Sequence, residues 1–410
     1  MKSPDPALPR RRLKSLAVAA AIAAMMSFAP ARAEDALRAT VAAPLQAAQD
    51  LMKAGKHKEA LAKVREAEAM RELTPYESHV IDRMRGAAAA ASGDDATASA
   101  SFDAALASGR LDGAEKLQTL EALSRAAYRS KNYPKAIDAA QRYSKEGGNN
   151  PQISGLLLNA RFQSGDHAGV VREVQARLAA GDAVAAGVDE PALRLMGASQ
   201  LKLGDDPGYT ATLERLLALN PTKEYWADRL ARLQNRPGFA DRLALDLLRL
   251  QMATQTMDEP AQYLETAQLA TKAGLPAEAK RAIEAGYAAG KLGTGADAAA
   301  HKRLRDQATQ QSSDDEKSLA RDGAGRTAET MVVTGQALVA HGKLDKGIES
   351  IEQGLAKGGL KRPDDARLHL GVALLQAGNK AKALTALQTV RGDDGVAELA
   401  RLWMILARQK

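Results

Sequence analysis

A turn-forming position recurs along this chain and limits what it can fold into more than any other feature. It falls at Gly55, Gly93, Lys131, Gly165, Gly204, Gly238, Gly274, Gly342 and Gly378. The steps between copies are 38, 38, 34, 39, 34, 36, 68 and 36 residues. The long step is twice 34, which predicts a degenerate copy near Ala308. A period of this size marks stacked helical hairpins, each too small to bury its apolar face alone.

The residues around the turn repeat with it. Gly86, Gly93, Ala98 and Phe102 form one copy, Gly335, Gly342, Gly347 and Ile351 another, and Gly371, Gly378, Ala383 and Leu387 a third. Ala48, Gly55, Ala60, Val64 and Ala267, Gly274, Ala279, Ile283 are weaker copies. In the last unit Arg367, Leu370, Leu374 and Leu375 recur at helical spacing, Gly378-Asn379 breaks the helix, and Ala383, Leu384, Leu387 and Val390 form a second stripe. The small residues let two backbones approach, and the large one fills the gap beside them. Composition agrees, because aromatics are only 3% and alanine supplies much of the apolar content, which favours helices over strands.

On these residues, above all Gly86–Ala105, Lys131–Ile137, Gly335–Leu355 and Leu370–Val390, the chain resembles the tetratricopeptide-repeat family. The resemblance implies an all-α fold, an α-solenoid with a right-handed superhelix and a concave inner face. About ten hairpins are expected between Val41 and Gly392. The family's leading aromatic is nearly absent, with Trp226 about one residue out of place. Val396–Arg408 reads as an amphipathic C-terminal capping helix that covers the last hairpin and leaves Arg401 and Arg408 in solvent. Residues 293–327 are the least regular, a degenerate repeat or hinge between repeats over 34–292 and 328–410.

The first 33 residues read as an address. Arg10-Arg11-Arg12-Leu13-Lys14 precede an apolar run from Leu16 to Ala29, and Ala31-Arg32-Ala33 suits cleavage before Glu34. That is the three-part pattern of a secretory signal, too short to span a bilayer comfortably. An ordinary Sec signal is preferred over the twin-arginine route, because Leu13-Lys14-Ser15 fit the latter poorly. The expectation is a soluble, exported bacterial protein located in the periplasm. The formal charge of +7 belongs mostly to this segment; without it 51 basic residues face 49 acidic ones. A balanced body does not favour nucleic acid.

No constellation points to chemistry, and the chain is expected not to be an enzyme. It has no cysteine, which removes disulfides, thiolate metal sites, cysteine nucleophiles and a lipid-bearing cysteine. His57, His79, His167, His301, His341 and His369 show no zinc-protease spacing. His57 and His167 are expected to pack, and His341 to meet carbonyls at a helix end. The acidic doublets Asp94-Asp95, Asp205-Asp206, Asp314-Asp315, Asp364-Asp365 and Asp393-Asp394 read mostly as turns and helix caps. Two G-x-G-x-x-A stretches, from Gly293 and from Gly323, lack the preceding strand that a dinucleotide loop needs. No cofactor and no metal are expected.

In the family the first helix of each hairpin lines the inner face. Carried onto this chain, that geometry puts Arg83, Arg125, Tyr128, Arg129, Asn159, Phe162, Arg194 and Lys202 in a partner-binding groove. Such residues suit a protein or extended peptide, with guanidinium and amide groups on its polar atoms and rings on its side chains. The family's carboxylate-gripping lysines and asparagines are not carried over, because Glu121 and Gln152 stand where basic residues would be needed. The leading expectation is a periplasmic scaffold or adaptor in a cell-envelope assembly. Its opening repeats look similar to proteins that accompany TonB-type transport. The alternatives are a peptidoglycan- or polysaccharide-binding solenoid and a periplasmic chaperone. The oligomeric state is not legible.

Overall fold

A computed structural model describes residues 36–180, 188–321 and 327–409. The expected signal segment and the Gly323 glycine motif lie outside the described residues. Among those residues are twenty α-helices, one short 3-10 turn and no strand. The chain forms two compact units, one ending at Gly204 and the other beginning at Asp205. The segment 293–327, where the sequence suggests a hinge, falls within the second unit.

All nine recurring turn positions have positive φ, including Lys131 at 62° beside Gly93 at 83°. Each reverses the chain between helices, and lysine accepts there a geometry that glycine adopts without a Cβ clash. The helix that follows starts on a local acceptor in several cases. Asp94 Oδ1 accepts from the Thr97 amide, Asn132 Oδ1 from Lys135, and Asp205 Oδ1 from Gly208. Two of the acidic doublets therefore do cap helices.

The first unit contains α1 (Ala39–Lys53), α2 (His57–Glu68), α3 (Pro75–Ser92), α4 (Asp95–Ala107), α5 (Gly113–Arg129), α6 (Tyr133–Lys145), α7 (Pro151–Gln163), α8 (His167–Ala179) and α9 (Glu190–Leu203). These helices pack mainly on their neighbours in sequence. One core runs from Val41 and Leu45 through Phe102, Leu120 and Leu123 to Leu157. Its interfaces are made thin by small residues. A Cβ on Gly86 would lie 2.7 Å from the Phe102 ring, and Ala98 is fully buried beside it. Glu77 is fully buried near the start of α3. It completes a capping box with Thr74 and receives Arg38 Nε and Nη2, both at 2.8 Å. The Arg38 hydrogen bonds hold its carboxyl at about 2, with burial opposing and the Thr74 amide helping.

The second unit contains α10 (Asp206–Leu219), α11 (Lys223–Gln234), the 3-10 turn Asp241–Leu243, α12 (Ala244–Ala253), α13 (Pro260–Lys272), α14 (Pro276–Ala288), α15 (Ala298–Arg321), α16 (Ala328–Ala340), α17 (Leu344–Lys357), α18 (Pro363–Gln376), α19 (Lys380–Gln388) and α20 (Val396–Gln409). The turn expected near Ala308 is absent. Ala308 is buried within α15, an unbroken helix of 24 residues, because no glycine or proline interrupts that stretch.

The terminal helix does more than cover the last hairpin. α20 packs on α18 and α19, and also on α10 and α12 from the start of the unit. Trp226, Leu230, Leu243, Leu247, Leu368, Leu399, Leu402 and Trp403 share one core, so the unit closes on itself. Arg229 is only 1% exposed and donates to Glu214 at 2.9 Å and to Glu398 at 2.8 Å. Arg401, expected in solvent, is half-exposed but paired with the same Glu214 at 2.7 Å. Arg242 joins Asp365 at 2.8 Å and Asp394 at 2.6 Å. These acidic doublets thus tie distant elements together rather than serving only as caps.

Candidate functional site

The eight groove residues lie on first helices of the first unit, and the structure shows what most of them touch. Arg83 on α3 donates to Glu115 on α5 at 3.1 Å. Arg125 on α5 donates to Glu121 at 2.7 Å and to Gln152 on α7 at 2.8 Å. Glu121 also accepts from Asn150 Nδ2 at 3.0 Å. Arg129 reaches Asp95, the first residue of α4, at 2.7 Å. These guanidinium groups therefore bridge one hairpin to the next.

The remaining groove residues differ. Tyr128 is half-buried, with its ring 5.7 Å from that of Tyr133, and burial raises its hydroxyl above the usual range. Asn159 donates to its own helix at Gly155 O. Phe162 stands edge-on to His167 at 5.1 Å, which is the packing expected of that histidine. Arg194 and Lys202 on α9 are exposed. The arginine bridges come together along α3, α5 and α7, whereas Arg194 and Lys202 stand apart on α9.

A second polar cluster lies in the second unit, and the sequence reading did not find it. A solvent-open cleft is lined by α12, α14, α16, α17 and α18. Asp246, which is buried, accepts from Arg249 Nη1 at 2.7 Å and from His369 Nε2 at 2.9 Å. Arg249 donates Nε and Nη2 to the two oxygens of Glu278, at 2.7 and 2.6 Å. Burial alone would raise both carboxyls. The charges of His369 and Arg249 instead hold Asp246 well below the carboxylate range, and Arg249 lowers Glu278. Arg281 stands at the rim with Nη1 donating to Ala340 O, the last residue of α16, at 2.8 Å. The Arg281 side chain is exposed.

One sequence signal could have found this cluster. Asp246-x-x-Arg249 and Glu278-x-x-Arg281 are the same acid–arginine pair 32 residues apart, one on α12 and the other on α14. At i,i+3 an acid and an arginine share a helical face. His369 gave no such signal, because its partner lies 123 residues away. His341 also departs from expectation, since its Nε2 donates to Asp315 at 2.8 Å rather than to helix-end carbonyls. Among the described residues no group of three histidine or acidic side chains could hold a metal ion, and no helix is long and apolar enough to cross a membrane.

This is an all-α array of antiparallel helical hairpins. A tetratricopeptide-repeat family model matches residues 333–397, from within α16 to the start of α20. Such repeats generally mediate protein–protein interactions. Among solved structures, yeast Tom70 is similar at 13% identity and a TM-score of 0.26, covering 90% of this chain and 96% of that one. The TPR2AB domain of yeast Sti1, solved in complex with pHSP90, is similar at 13% identity and a TM-score of 0.24, covering 89% of this chain and 98% of that one. A search of curated proteins finds no match.

Proposed function

We propose that this chain is a non-enzymatic scaffold that holds a protein or extended peptide. The observation that carries the reading is the set of arginine, glutamine and aromatic side chains on α3, α5 and α7, the arginines held by an adjacent hairpin and the rings by their own. A surface ordered before binding loses less side-chain entropy when a partner arrives. Exposed Arg194 and Lys202 add charge on α9 that is free to meet acidic groups. The setting is an exported one, in a cell-envelope assembly. It is supported by the basic, apolar and small-residue sequence that ends at Ala33.

The internal pairs decide how this is tested. Reversing Arg125 or Arg129 would place glutamate against Glu121 or Asp95, so lost binding there would confound folding with recognition. Reversing exposed Arg194 and Lys202 together avoids that conflict. Affinity capture from envelope extracts should identify a protein that also binds the purified chain, and R194E/K202E should weaken that binding. Unchanged binding removes this face from the proposal. Mass spectrometry of the purified chain should show Glu34 as its first residue, and an intact Met1 would remove the export reading.

A further inference from the structure

The cleft in the second unit is chemically distinct from the groove. Its acidic groups are already paired with cations. Both oxygens of Glu278 take Arg249, and Asp246 takes Arg249 and His369. Each carboxylate already faces a guanidinium, so the cleft offers little unbalanced negative charge to an amine or a metal ion. The basic side is incomplete. Arg281 has no carboxylate within ion-pair distance among the described residues, and its one hydrogen bond goes to a backbone carbonyl. Its planar fork keeps further N–H donors in the geometry that a carboxylate accepts.

The rest of the lining narrows the ligand. Val339, Ile351, Val372 and Ala373 give the cleft an apolar floor, which suits an aliphatic group better than a fully hydrated anion. Gln336 on α16 and Gln376 on α18 bring neutral amides to the same space. His369 is on the wall, and its buried Nδ1 has no hydrogen-bond partner among the described residues. Because the cleft opens to solvent, a carboxylate on a small molecule or on a side chain can reach Arg281, whereas a folded domain cannot enter.

We infer that this cleft binds a carboxylate carried on a short aliphatic group, with Arg281 as the anchor and the Val339–Ile351–Val372 floor beneath the chain. The group is either a small free acid or an acidic side chain of a peptide. The site is independent of export and of the α9 face, so its test can fail while the scaffold reading stands.

Calorimetric titration of the full chain separates the two sources. Glutarate represents the free acid. Acetyl-Leu-Glu-Leu-amide carries its only carboxylate on a side chain, and glutaramide is the uncharged control. At least one carboxylate probe should bind while glutaramide does not, and the tighter probe identifies the source. Arg281→Gln should weaken binding about tenfold or more, as loss of a charge-assisted pair does. Arg281→Lys, which keeps the charge but loses the fork, should fall between. Lys58→Gln, at an exposed position in the first unit outside both sites, should bind as the parent does. Helical circular dichroism of each variant confirms that the fold is retained, as expected for a rim residue. Binding of neither acid, equal binding of glutaramide, or undiminished binding by R281Q would overturn the site.

Discussion

The two units use one building block and hold it together differently. In the first, each hairpin rests on its neighbours, and among the described residues polar bridges run to adjacent hairpins, as from Arg83 to Glu115 or Arg125 to Gln152. In the second, the last helix returns to the first, and hydrogen bonds join residues up to 192 apart, as from Gln409 to Leu217. A row of nearest neighbours can lose an end hairpin and keep the rest. A unit closed on a shared core should unfold as one piece. A common sequence period thus does not imply a common mode of cohesion.

The sharpest way to break this comparison is at the closure. Arg229→Met leaves Glu214 and Glu398 facing each other without the buried cation between them. Removing one partner of a buried ion pair costs about 3–5 kcal/mol. Hydrogen exchange should show protection falling together from α10 to α20 while α1–α9 are unchanged. Loss confined to α20 would show that the second unit is not cooperative.

The hairpin interfaces offer the next effect. A Cβ on Gly347 would meet the Gly335 carbonyl at 2.7 Å, and one on Gly335 would meet the Gly347 carbonyl at the same distance. Backbone cannot swing aside as a ring can. Gly347→Ala gains about 1 kcal/mol of helix propensity but adds overpacking of about 1–3 kcal/mol. Thermal denaturation should therefore show a net loss, larger than for Gly86→Ala, whose obstacle is the Phe102 ring.

A pH effect should test the opening end of the first unit. The Glu77 carboxyl, held at about 2 in the fold, would titrate near 4.5 when unfolded. Its stabilisation is complete above that unfolded value and is lost as pH falls from there towards 2. Denaturant midpoints for α1–α4 should drop across this window, and by less in Glu77→Gln, which has no proton to take up. Identical pH slopes would show that Glu77 does not stabilise this end of the first unit. The smallest effect is expected for Arg125→Gln, which only removes the pair. Partly exposed pairs are worth about 0–1 kcal/mol, so a slight loss of melting temperature is the expected readout.

Sequence showed what is local. The nine turn positions were readable because a left-handed residue is a local demand, and Gly86 with Phe102, or Gly371 with Leu387, because close packing recurs at a fixed offset. The closure was not readable. Arg229, Glu398 and Arg401 look like ordinary solvated helix charges until the chain returns, and no short-range pattern marks a partner more than a hundred residues away. The missing turn at Ala308 shows the converse error, in which a period was continued through a stretch lacking any helix breaker. Of the two polar sites, the eight groove residues followed from helix position alone, whereas the cleft needed the paired Asp246-Arg249 and Glu278-Arg281 spacing to be noticed.

The closure also bears on how such a chain can grow. Duplicating a hairpin in the first unit adds one more equivalent interface and leaves the existing ones in place. The same event in the second unit would carry Glu398 and Arg401 out of reach of Arg229 and Glu214. Length is therefore an adjustable quantity on one side of Gly204 and a fixed circumference on the other.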